Sequence, residues 1–190
     1  AILNLGGVGN VSFIDPSKSP EDGIVAFDTG PANAPLDDFM YTRLGMKFDQ
    51  DGALARSGQV DHDILSAFLK HPYFLRMAPK SLDRDAFVGL VSAVQRLSDA
   101  DGAATLTAAM TAAVVNGMQH MPTCPSELWV SGGGRLNPLV MEHLAADLPY
   151  PVRNIEDLGF DGDMVEAQAF AFLAARIKYG MTTSFPKTTG

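Results

Sequence analysis

Residues 1–31 read AILNLGGVGNVSFIDPSKSPEDGIVAFDTGP, and their punctuation decides the fold. Three short apolar runs, AILNL (1–5), NVSFI (10–14) and IVAF (24–27), are separated by Gly6-Gly7 and by a polar stretch that opens with Asp15-Pro16 and closes at Gly23. Alternation in the second run and β-branched residues at the head of the third mark them as strands. Tight links between consecutive strands predict an antiparallel meander.

Beyond Pro31 the pattern turns helical. Leu36, Phe39, Met40 and Leu44 fall near helical spacing over 33–45, with Asn33 as the expected N-cap and Gly45 as the stop. Residues 46–60 are turn-rich. Asp61 is expected to cap a helix to about Lys70, residues 71–84 to form a loop with aromatic anchors, and 85–97 to form another helix. Asp101 is expected to cap a long helix through Met121, with Met110, Met118 and Met121 as core filler. ELWVS (127–131) reads as a buried strand followed by Gly132-Gly133-Gly134, and Asn137-Pro138 open a helix to Asp147. PVRNI (151–155) is a short strand. A last helix is expected from near Asp163 to before Gly180, ahead of the polar tail TTSFPKTTG (182–190).

The order is thus three strands, several helices, then strand, helix, strand, helix. Strand–helix–strand units demand parallel pairing through right-handed crossovers. The expected class is α/β: a mixed sheet made of a three-strand antiparallel meander plus parallel strands, with helices on its faces. This is the ribonuclease-H-like order found in each half of actin-like ATPases and sugar kinases.

The 190 residues suffice for one ordinary domain with a real core, and 46% of them are hydrophobic. The net charge of −8 speaks against nucleic acid and anionic lipid as partners. An anionic ligand would have to be held by backbone N–H groups, a helix N-terminus or a metal ion. A single cysteine, Cys124, forms no intrachain disulfide, and neither the cysteine nor the four histidines have metal-ligand spacing. No apolar stretch is long enough to span a bilayer, and a cytoplasmic setting fits best. Because Ala1 already lies in a strand-like run, the chain reads as one domain, 1–190, of a longer protein.

Four places carry candidate chemistry. Gly6 and Gly7 at a strand-to-strand turn could face a phosphate with their amides; the competing reading is a tight β-turn. Asp28, followed by Thr29-Gly30, offers a carboxylate where a strand is expected to stop, a good place for a general base. Thr29 could offer a hydroxyl and Gly30 an open backbone, the alternative being an Asx-turn before Pro31. Asp37 lies between Leu36 and Phe39, which should be buried, whereas Asp38 suits a helix N-terminus. Gly132, Gly133 and Gly134 stand between a buried strand and a helix, where open sheets bind nucleotides; they are expected to leave bare backbone for a ring or a phosphate rather than to serve packing. Their spacing is not that of a Walker A loop. Glu166 shares an apparent stripe with Phe170, Leu173 and Ile177 and stands at capping-box distance from Asp163, so a ligand hydroxyl and a cap compete for it.

Together NLGGVGNVS, AFDTGPANAPLDDF, KFDQDGALARSGQV, APKSLDRDAF, VSGGGRLNPLVMEHL and GDMVEAQAFAFLA closely resemble, in order and along nearly the whole chain, the C-terminal part of the anhydro-N-acetylmuramic acid kinase family. The resemblance implies ATP and Mg²⁺ as co-substrates and a two-domain enzyme whose N-terminal half is the partner of this one. It implies an amino sugar, 1,6-anhydro-N-acetylmuramic acid, as substrate, and a possible homodimer. Asp28 matches the catalytic aspartate. Gly6, Gly7, Thr29 and Gly30 match phosphate-side loops, and Gly132, Gly133 and Gly134 the adenosine loop. Glu166, Asn33 and Asp37 match positions expected near the substrate, and no protein metal ligand is implied. The chain departs from the family pattern at Ala32, in the Ala34-Pro35-Leu36 run and at Asp83. The alternative is a binding module that kept the fold without the chemistry, and taken alone the half-enzyme is expected to lack useful turnover.

Overall fold

Alternation sorts the first strands onto two faces. On β1 (Ile2–Leu5), Leu3 and Leu5 are buried while Ile2 and Asn4 face the other way; on β2 (Val8–Ile14), Val11 and Phe13 are buried and Asn10 and Ser12 are not. The computed structural model describes residues 1–188. After a single helical turn, α1 (Pro20–Gly23), comes β3 (Ile24–Pro31), and the meander closes as expected: Leu5 lies opposite Gly9, and Val11 opposite Phe27, both antiparallel. Next in the chain come α2 (Asn33–Leu44), the short α3 (Ala53–Ser57), α4 (His62–Leu69), α5 (Val88–Val94) and the long α6 (Asp99–Met118). The parallel half follows as β4 (Leu128–Ser131), α7 (Pro138–Asp147), β5 (Val152–Asn154) and α8 (Val165–Lys178). The sheet order is β3-β2-β1-β4-β5, with β4 parallel to β1 and β5 parallel to β4.

The apolar face of the sheet packs on α6 and α7. Leu3, Leu5, Phe27, Leu128 and Val130 meet Met110, Val114 and Leu144 in one core. A second core lies on the far side of α6, where Ala103, Leu106 and Ala109 meet Phe39, Phe68, Phe74 and Phe87. Helix α6 therefore has neighbours on both sides, and its small residues let them come close. A Cβ on Gly102 would stand 2.5 Å from Phe39 Cζ, and one on Gly117 would stand 2.9 Å from Thr29 Cγ2. Its buried hydroxyls bond back to their own helix, as in Thr107 Oγ1 to the Ala103 carbonyl at 2.9 Å.

Caps explain several boundaries and correct others. Asp61 accepts from Asp63 and Ile64 N–H to start α4, and Asn137 accepts from Leu139 N–H to start α7, both as expected. Helix α6 is capped by Ser98, not Asp101. The Ser98 hydroxyl accepts from Asp101 N–H, and the Asp101 carboxylate instead accepts from Gln59 N–H at 2.7 Å. Helix α5 is shorter than expected because residues 84–87 form a separate 3-10 turn. Asn33 is the first residue of α2 rather than its cap, and its amide donates to the Leu5 carbonyl at 2.9 Å. The polar tail adds to the β3 edge: Ala26 N–H donates to the Lys187 carbonyl at 2.9 Å. The last two residues of that tail lie outside the described residues. Among the described residues no helix is long and apolar enough to cross a membrane.

Candidate active site

Asp28 does not stand at a strand end. The turn-like composition of Asp-Thr-Gly-Pro suggests a stop, but β3 continues through it to Pro31. What the composition marks is a bulge: Gly9 pairs with Gly30 and Asn10 with Asp28, so Thr29 has no partner on β2. A bulge re-aims side chains locally and is common beside active sites. Here it leaves Asp28 half-buried on the polar face of the sheet and sends Thr29 into the interior, 1% exposed.

Both Asp28 oxygens are held. Oδ1 accepts from Asn10 Nδ2 at 2.9 Å, and Oδ2 accepts from the Leu82 amide at 2.7 Å. The Asp28 carbonyl accepts from the Tyr73 hydroxyl at 2.6 Å. Burial, with the nearby Asp28 charge, pushes the Tyr73 phenol up against the opposing pull of Arg76, so that hydroxyl stays a donor at neutral pH. Arg84 is exposed beside Gly7 and pairs with Asp38 at 3.0 Å. None of Asn10, Tyr73, Leu82 and Arg84 was singled out by sequence reasoning. Only Asn10 carried a readable signal, as a polar residue that alternates to the same face of its strand as Ser12.

The expected glycine roles divide. The carbonyls of Gly6 and Gly7 accept from the amides of Ala32, Asn33 and Ala34, so the turn supports the start of α2. Those bonds use carbonyls alone and leave the amides of Gly6 and Gly7 out of them. Gly30 does not serve an open backbone, because a Cβ there would lie 2.7 Å from Ala113 Cβ on α6. The Thr29 hydroxyl is not offered to a ligand either. It is buried with no hydrogen-bond partner among the described residues, and a Cβ on Gly9 would lie 2.5 Å from its oxygen. The glycine triplet does serve packing at two of its three positions. A Cβ on Gly132 would stand 2.6 Å from the Leu5 carbonyl, and one on Gly134 2.6 Å from Leu5 Cβ. Gly132 also has φ +77°, a conformation only glycine adopts freely. Gly133 alone is roomy, its nearest neighbour being Asn33 Nδ2 at 3.6 Å.

Two hollows meet at Gly133. One, of about 480 Å³, lies on the polar face of the sheet between Asn4, Gly6, Asn10, Gly132, Gly133 and Glu166. Asp28 borders it through Asn10 rather than lining it. The other, of about 380 Å³, is walled by Asn33, Asp37, Phe48, Asp51, Gly133 and Asn137. Asn33 and Asp37 thus belong with the glycine loop and not with Glu166. Burial, and then the neighbouring Asp38, raises the Asp37 carboxyl to about 6, against the pull of Arg84. Glu166 is exposed on the first turn of α8, and Asp163 does not cap that helix. Asp163 accepts from Arg135 at 2.9 Å instead, and of the expected apolar stripe of α8, Phe170 and Ile177 are exposed and Leu173 is half-buried. The same buried Arg135 donates to Glu156 at 2.7 Å and to the Gly132 carbonyl at 3.0 Å, tying the loop to the segment that leads into α8. Among the described residues no three His, Cys, Asp or Glu side chains converge as a metal site.

A mixed sheet in this order, with helices on its faces, is the ribonuclease-H-like fold of the actin-like ATPases. The solved structure of the activator of 2-hydroxyisocaproyl-CoA dehydratase from Clostridium difficile, with ADPNP bound, has this fold: the TM-score is 0.52 over 80% of this chain and 52% of that one, at 14% identity. The chain belongs to the anhydro-N-acetylmuramic acid kinase family, whose model matches residues 1–190. It is 55% identical over 191 residues to the anhydro-N-acetylmuramic acid kinase of Ruegeria sp., covering 99% of this chain and 51% of the relative. It is 52% identical over 190 residues to that of Rhodospirillum rubrum, covering 100% of this chain and 49% of the relative. The chain spans about half the length of the curated relatives it matches.

Proposed function

We propose that this chain is the catalytic half of a two-domain, ATP-dependent kinase that converts 1,6-anhydro-N-acetylmuramic acid to N-acetylmuramic acid 6-phosphate. The observation that carries the reading is the Asp28 carboxylate, oriented by Asn10 and Leu82 at the border of the hollow that also contains Gly6, Gly132 and Gly133. Held this way, Asp28 takes a proton from water as that water attacks C1. The C1–O6 bond breaks, and the freed O6 attacks the γ-phosphorus of ATP, whose bond to the bridging β-phosphate oxygen breaks to release ADP. The amides of Gly6 and Gly7 suit the phosphates. The second hollow suits adenosine, because bare backbone at Gly133 lies beside Phe48 and a carboxyl at Asp37 that is partly protonated near neutral pH.

Mg²⁺ fits this site as a companion of the triphosphate. With no converging carboxylate cluster among the described residues, the ion would be held chiefly by phosphate oxygens and water. Bound there, it would neutralise charge on the phosphates. Glu166, at the other wall of the first hollow, would meet the sugar. The remaining half of the protein would close the cleft, so the chain taken alone is expected to turn over no anhydro-sugar in a coupled ADP-release assay. The same reading places the enzyme in the cytoplasm and leaves room for a homodimer.

The test uses the protein at the full length of its relatives. Asp28→Asn is expected to lower kcat by about 10²- to 10⁴-fold while ATP binding, followed by calorimetry, is preserved. Turnover at the wild-type rate in that variant overturns the assignment.

A further inference from the structure

Lys80 is 1% exposed, and nothing in the proposed chemistry uses it. A buried ammonium destabilises a fold unless it is well compensated, and the usual compensation is a carboxylate. Lys80 has a different set of partners. Its Nζ lies 3.3 Å from the Tyr73 carbonyl, 4.7 Å from the centre of the Tyr73 ring and 5.9 Å from that of Phe27. Burial, helped by Arg76, lowers its proton affinity. What the lysine holds together is the stretch from Tyr73 to Leu82, and that stretch touches Asp28 three times. The Tyr73 hydroxyl donates to the Asp28 carbonyl, the Lys80 carbonyl accepts from Asp28 N–H at 2.9 Å, and the Leu82 amide donates to Asp28 Oδ2.

We propose that Tyr73 and Lys80 are positioning residues for Asp28: Lys80 fastens the two ends of a clamp that holds the backbone and carboxylate of that residue. The proposal rests on the reading of Asp28 as the base. Without the ammonium the ring of contacts opens at the Tyr73 carbonyl, and the Leu82 amide is no longer held at Oδ2. A general base displaced by a fraction of an ångström loses rate without losing substrate, because binding is made elsewhere on the cleft walls. A buried lone cation kept for orientation also predicts an unusual pairing of effects. Replacing it with an apolar chain of like length should leave the fold as stable as before, or more so, while impairing catalysis.

The experiment compares Lys80→Met, Tyr73→Phe, the double variant and Asp28→Asn in the full-length kinase, with kcat, both KM values and Tm measured for each. Expected for Lys80→Met and for Tyr73→Phe is a fall in kcat of about tenfold or more, with KM for ATP and for the sugar within about threefold. For Lys80→Met, Tm should be unchanged or higher. The double variant should be no slower than the worse single one, since both act through one clamp. If Asp28→Asn is inactive while both singles keep kcat within about twofold of wild type, the clamp is wrong and the base stands. A fall in Tm with kcat per folded molecule preserved likewise overturns it, by making Lys80 a structural residue only. If Asp28→Asn turns over normally, the base and the clamp fall together. Should Lys80→Met fail to fold, Tyr73→Phe decides, since it removes one hydroxyl and leaves the ring under the ammonium.

Discussion

Asp37 keeps its proton to a higher pH than a surface aspartate does, and the sign of the consequence follows from linkage. Its carboxyl is raised from 3.8 to about 6 in the folded chain, so between those values the folded state binds more protons than the unfolded one. Stability attributable to this group is therefore fully present below about pH 4 and is lost as pH rises through 6. Undiscounted, the shift corresponds to about 3 kcal/mol, and solvent screening of a half-exposed group cuts that to about 1 kcal/mol. Asp37→Asn is expected to be more stable than the wild type at pH 7 by that amount and to lose the advantage near pH 4, measured as urea unfolding across the range. Composition alone does not separate Thr29 from Asp28 by burial: neighbouring polar residues in a turn-like string look equally available. An extra residue in one strand of a pair decides which faces inward, and that depends on the facing strand. Asp28 was legible as a candidate, whereas its holders Tyr73, Lys80 and Leu82 were not, since they lie about fifty residues along the chain and approach it only in the folded state.

The loop after β4 divides by position. Its glycine triplet was expected to leave bare backbone for a ligand rather than to serve packing, but its first and third members are glycine because β1 presses on them. This separates two substitutions that look alike in sequence. Gly134→Ala places a methyl 2.6 Å from Leu5 Cβ and is expected to cost about 1–3 kcal/mol of stability by thermal unfolding. Gly133→Ala meets nothing closer than 3.6 Å and is expected to leave Tm nearly unchanged while weakening ATP binding, read by calorimetry. Helix starts were legible where one cap-type residue preceded the apolar pattern, as at Asp61 and Asn137. At α6, Ser98 and Asp101 are both good caps three residues apart, and only the fold selects between them. The meander and the parallel pairing of the later strands were legible, because short links and crossovers restrict pairing so strongly, whereas the seat of β4 beside β1 comes only from the fold.

Across the whole molecule, α8 is the element whose surroundings the sequence could not give. Its periodicity marks an apolar face, yet on that face Phe170 is 65% exposed and Ile177 70%, and Phe172 beside it is 61% exposed, whereas helices of similar composition around α6 are covered. Periodicity reports that a face wants cover, not which part of a protein supplies it. Replacing Phe170 and Phe172 together with Ser is therefore expected to change the unfolding free energy of this chain by no more than about 0.5 kcal/mol, checked by urea denaturation. The packing of Gly132 and Gly134 on β1 has a consequence of its own. Because Leu5 leads through one hairpin to Asn10 and so to Asp28, the glycine triplet and the acid ride on a single stiff plank. On the function proposed above, the gap between them would act as a fixed gauge, so a nucleotide shorter by one phosphate would leave nothing within reach of the acid.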